Sequence, residues 1–140
     1  MDDNQINSLV TLVDEIAIQV PANSINIDNL YSLVALNDDH SRGTEIMELE
    51  SFLGHLGFIP ADMFYSLLKR NFTDKYNQLQ KSFPILMTTY SKSRMLVDCR
   101  DILVPVGNEH RLDLDAIHTD YMPEMINYKD LQKTLHHMPD

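Results

Sequence analysis

Glycine is scarce in this chain, at four residues in 140. That is too few to build the glycine-rich cradles that hold phosphates or dinucleotides. Tryptophan is absent and cysteine occurs once, as Cys99, so no internal disulfide can form. No apolar run approaches the ~18 residues that a membrane span needs. The opening "MDDNQINSLV" has two acids where a secretory signal would carry bases. Together these features lead to the expectation of a cytoplasmic protein with no cofactor.

Positive charge is also in short supply. Eleven Lys and Arg stand against 21 Asp and Glu, a net charge of −10. Such a balance disfavours nucleic acid and suits a partner protein with a basic surface. The imbalance is local: residues 1–60 hold ten acids and Arg42 alone. Residues 61–100 reverse it with seven bases against three acids, and residues 101–140 are acidic again, eight against three. The basic middle can neutralise its flanks, or the chain can keep one strongly acidic face.

Apolar residues make up 44% of the sequence, enough for an ordinary core, and the length suits one domain over residues 1–140. Ile6, Leu9, Val10, Val13, Ile16, Ala17 and Val20 recur at helical spacing, and Pro21 stops the run. A second helix is expected from a cap at Asp28 through Leu30, Tyr31, Val34 and Leu36. The polar stretch Asn37–Gly43 reads as a loop. A third helix, capped by Thr44, carries Ile46, Leu49, Phe52, Leu53 and Leu56 and ends at Gly57 as a left-handed cap. Pro60 opens a fourth, with Met63, Phe64, Leu67 and Leu68 inward, and "DKYNQLQKSF" forms another piece closed by Pro84.

Beyond Pro84 the short apolar runs "ILMTTY", "RMLVDC" and "DILVPV" are rich in β-branched residues, and "SKS" between the first two suits a hairpin loop. The rest is expected to be loop, then a helix from about Asn127 to His137. The fold class is therefore α+β and predominantly helical. It has a helical N-terminal two-thirds, a small hairpin or three-stranded sheet around residues 85–106, and a C-terminal helix.

Three segments carry candidate chemistry. The stretch "LGHLGFIPADMFYSLLKR" (Leu53–Arg70) has two helices, a turn glycine, a proline at the second helix start and terminal bases. It resembles the helix-turn-helix class, which implies a second helix that enters the major groove. Its supposed reading helix, "ADMFYSLL", offers base edges little, because Asp62 would face phosphates and Met63 and Phe64 are apolar.

The second segment is "RLDLDAIHTDY". Asp113, Asp115, His118 and Asp120 could ligate a hard cation, but the spacing is not that of an EF-hand loop. Elsewhere the adjacent pair His136-His137 points about 100° apart on a helix and cannot chelate one ion. No G-x-S-x-G elbow is present.

The third is the acidic set Asp38, Asp39, Glu45, Glu48 and Glu50, on the polar loop and the outward side of the helix after it. Ile46, Leu49 and Phe52 account for the buried side, which leaves these acids without structural duty. The expected function is a non-catalytic acidic protein-binding module: an inhibitor, an immunity-type protein or an adaptor. The alternatives are a helix-turn-helix-like transcription regulator and a small metal-assisted enzyme.

Overall fold

The computed structural model describes residues 3–37, 46–106, 109–117 and 120–138. It is predominantly helical α+β, with two small antiparallel sheets. The first helix, α1 (Asp3–Gln19), ends one residue before Val20-Pro21. Its buried line is Gln5, Leu9, Leu12, Val13 and Ala17, so the stripe is turned slightly from the expected one and Val20 stays at the surface.

In α2 (Ile27–Asn37) the cap is Asn26 rather than Asp28: the Asn26 side chain accepts from the Asp28 N–H at 2.9 Å. Next, α3 (Ile46–Leu56) buries Leu49 and Leu53. Gly57 follows at φ +99, the left-handed conformation that only glycine adopts cheaply. Thr44, the expected cap of α3, lies outside the described residues.

Where a plain turn was expected, three residues form strand β1 (Phe58–Pro60) before α4 (Ala61–Asn71) begins. Then come α5 (Thr73–Ser82) and α6 (Pro84–Tyr90). The run "ILMTTY" is thus helix and not strand, and "SKS" is the turn after it. Pro84 supplies a first-turn residue that needs no N–H partner, and Met87 and Tyr90, three apart, both turn inward. Thr88 and Thr89 return their hydroxyls to the carbonyls of Pro84 and Ile85. The β-branched residues therefore sit comfortably on the exposed side of this helix.

Strand β2 (Leu96–Asp98) pairs with β1, and β3 (Leu103–Val106) pairs with β4 (Glu109–Leu112). The second and third apolar runs consequently belong to different sheets. The stretch "EHRL", expected as loop, is the fourth strand. A short 3-10 turn, Leu114–Ala116, precedes α7 (Tyr128–His136). Asn127 and Asp130 close a reciprocal capping box at the start of α7, which places this helix where the sequence did.

The β1–β2 pair works as a partition. Side chains alternate across a strand, so Phe58 and Leu96 enter one core with α1, α2, α3 and α7. Ile59 and Val97 enter a second core with α4, α5, α6 and β4. The far edge of β2 is also occupied. Leu96 N–H donates to the Ile25 carbonyl at 2.8 Å, and Asp98 N–H to the Glu124 carbonyl at 2.8 Å. Three distant segments thus meet on one short strand. Among the described residues, no helix is long and apolar enough to cross a membrane.

Candidate interaction surface

Helical spacing divides α3 cleanly. Leu49 and Leu53 go inward, while Met47, Glu50, Ser51 and Gly54 share the face turned toward α4. On α4, Ala61, Phe64 and Leu68 are buried, and Met63 and Leu67 lie half-covered on the side that looks back at α3. Ile59 of β1 and Leu103 of β3 complete the floor. The result is a groove of about 290 Å³. Gly54 keeps its wall low, since a β-carbon there would meet nothing nearer than Ile59 Cγ2 at 4.0 Å.

One end of this groove is charged. Arg94, on the turn before β2, brings its guanidinium to three carboxylates from three helices: Glu50 on α3, Asp62 on α4 at 3.0 Å and Asp28 on α2 at 3.6 Å. Burial alone would lower the affinity of this guanidinium for its proton, but the bonds to Glu50 and Asp62 outweigh burial and raise it. Among the described residues, three carboxylates around one cation leave two negative charges without an answer. The basic middle of the sequence does neutralise its flanks here, but only in part.

Glu50 therefore has a structural duty that its sequence position did not reveal. Glu48 is exposed and makes no ion pair with a described residue. Asp38, Asp39 and Glu45 lie outside the described residues.

The helix-turn-helix segment becomes helix, strand, helix. The first N–H groups of α4 are already taken: Ala61 donates to the Met95 carbonyl at 2.7 Å and Asp62 to Ser93 at 2.9 Å. Ala61 and Phe64, in the half that would read bases, are fully buried. Lys69 and Arg70 are exposed at the other end, with Lys69 over the Tyr76 ring at 5.9 Å.

The metal-loop acids do not converge on one point. Asp120 accepts from Gln78 at 2.7 Å and Asp115 is exposed, while His118 lies outside the described residues. Among the described residues no group of three His, Cys, Asp or Glu could hold a metal ion. His136 and His137 turn to different partners, Asp14 at 2.7 Å and the Lys133 carbonyl at 2.6 Å. Cys99 is fully buried, and that burial, helped by the Asp98 charge, pushes its thiol well up, away from the reactive thiolate.

A second acidic cleft, of about 680 Å³, was not singled out by sequence. Asp98, Asp101, Asp120 and Glu124 surround it beside Tyr121. Burial raises the Tyr121 hydroxyl, and the negative charge of Asp101 raises it further. Asp98 is answered by Arg100 at 2.7 Å. Burial works against its ionisation, but the Arg100 hydrogen bonds prevail and hold its carboxyl below the ordinary range. Its signals in the sequence were the acidity of residues 101–140 and Asp120 of the candidate metal loop.

Comparison with protein-family models, with curated proteins and with solved structures gave no match.

Proposed function

We propose that this chain is a non-catalytic protein-binding module, acting as an inhibitor, an immunity-type protein or an adaptor, and that its partner presents a basic surface in the cytoplasm. The observation that carries this reading is the Arg94 cluster, where three carboxylates share one cation. Among the described residues the cluster keeps a net negative charge, on a chain whose net charge is −10. An acidic field of this kind accelerates encounter with a basic partner and rejects acidic ones.

In this reading Asp38, Asp39, Glu45 and Glu48 make the outer contacts. Glu50, held by Arg94, forms the inner edge. The buried thiol and the dispersed carboxylates of the 113–120 loop support binding over catalysis.

The test is kinetic. The partner is captured from the source cell with the full chain, identified, and its association rate measured at two salt concentrations. Between 0.1 M and 1 M the screening length falls from ~10 Å to ~3 Å, so association should slow markedly. Glu48→Lys should slow it further with no change in melting. Equal rates for wild type and Glu48→Lys at both salts would overturn the proposal.

A further inference from the structure

We propose that the groove between α3 and α4 receives a basic amphipathic helix of the partner, whose apolar side chains fill the groove while its cations meet the Arg94 carboxylates. This rests on the reading that the partner is basic, and adds where and in what form it docks.

Size comes first. At about 290 Å³ the groove falls just below the ~300–1,000 Å³ typical of small-molecule sites. It suits one or two anchoring side chains better than a substrate. The lining agrees, since Met47, Ile59, Met63, Leu67 and Leu103 are apolar and only Glu50 and Ser51 offer polar groups. Methionine is adaptable and favoured on surfaces that accept apolar helix faces. Met47 is 72% exposed, so its side chain is accessible to an incoming helix.

Length comes second. The α3 wall runs from Met47 to Gly54, eight residues whose seven steps span roughly 10 Å at ~1.5 Å per residue. Anchors at i and i+4 on an incoming helix lie ~6 Å apart and fit within it.

Charge decides the partner's sign. Glu50 belongs both to the groove and to the cluster in which, among the described residues, three carboxylates share one cation. Cations flanking the apolar anchors would find carboxylates at the groove edge. A second copy of this chain is a poor occupant, because two molecules of net charge −10 repel. Its most exposed neighbouring apolar pair, Ile85 and Leu86 on α6, is adjacent in sequence, so the two side chains point about 100° apart and cannot enter together.

The probe is a synthetic peptide of about 16 residues, long enough to hold a helix, with leucine at i, i+4 and i+8 and lysine on the remaining face. One control peptide replaces lysine by glutamate and another replaces leucine by serine. Binding to the full chain is read by fluorescence anisotropy and by the ε-methyl NMR signals of Met47 and Met63. The lysine–leucine peptide should bind and move both methyl signals, and the controls should bind at least tenfold more weakly. Gly54→Leu fills the groove from a position with room for a side chain, and should weaken binding tenfold or more with melting retained. Met47→Ser, at a surface position, should weaken it several-fold.

If Gly54→Leu and Met47→Ser bind as wild type while 1 M salt and Glu48→Lys release the peptide, the groove inference falls and the acidic-surface reading stands. If the glutamate peptide binds equally well, or the lysine peptide fails to bind at ~1 mM, which corresponds to about −4 kcal/mol, both fall.

Discussion

Gly57 and Arg100 are pressed together so closely that a β-carbon on the glycine would stand 3.0 Å from the arginine Cα and nearer still to its side chain. The Gly57 carbonyl also accepts from the Cys99 N–H at 2.7 Å, and the Arg100 guanidinium lies 5.2 Å from the centre of the Phe58 ring. The turn that ends α3 is thus stacked on the turn that ends β2. Gly57→Ala should lose roughly 2–4 kcal/mol, part from the positive φ and part from the collision with backbone. Gly54→Ala, three residues earlier in open space, should be neutral or gain up to ~1 kcal/mol of helix propensity. Urea unfolding of both variants checks the contrast, and equal midpoints would show that the close approach is absent.

Arg94→Met removes one cation from among three carboxylates. Asp28, Glu50 and Asp62 then repel one another in a partly covered site. A loss of about 1–3 kcal/mol at neutral pH is expected, since hydrogen bonds to charged groups contribute in that range. The loss should shrink as added salt screens the repulsion. A deficit that ignored salt would mean that packing of the arginine stem, and not charge, holds the site.

Leu9 and Val13 are fully buried in the first core. An aspartate at either place sets an unpaired charge in apolar surroundings, at several kcal/mol against a total stability of ~5–15 kcal/mol. Leu9→Asp and Val13→Asp should each abolish the cooperative thermal transition seen by circular dichroism. Wild-type melting in either variant would contradict the packing of α1.

Alkaline pH should weaken the fold through Tyr90. Burial pushes its hydroxyl up to about 12 from an ordinary 10.0, and the hydroxyl donates to the Pro123 carbonyl. Between those values the unfolded chain gives up the proton and the folded chain keeps it. Stability is therefore fully present below pH 10 and lost as pH rises toward 12, by up to roughly 2–3 kcal/mol at ~1.4 kcal/mol per unit. Tyr90→Phe should start less stable but decline less steeply over that range. Parallel declines would show that Tyr90 does not set the alkaline limit.

The helices that could be read from sequence were those whose signals are local. The spacing from Leu9 to Ala17 with Pro21 beyond it, Gly57 at a positive φ, and the Asn127–Asp130 box each involve neighbours in the chain. The parts that could not be read depend on distant partners. "ILMTTY" has strand composition, yet Met87 and Tyr90 fill a cavity beside Phe64 and Leu68 only if the segment coils. Three-residue β1 exists because Ile59 meets Val97 across a sheet, and no local pattern marks it. The acidic set was visible as composition. What became of Glu50 was not, because its cation lies 44 residues away, and Asp62 and Arg94 are 32 apart. Charge can be counted along a chain, but its compensation is decided in space.

The union of α1 with α7, sealed where Asp14 meets His136 at 2.7 Å and Gln132 at 3.1 Å, sets a schedule for the growing polypeptide. Leu131, which shares a core with Val13, leaves the ribosome more than a hundred residues behind it. At ~5–20 residues per second the wait is roughly 6–24 s. During that interval the oily side of the first helix has α2 and α3 for company but not its final cover. The first core can therefore close only when synthesis has passed residue 131.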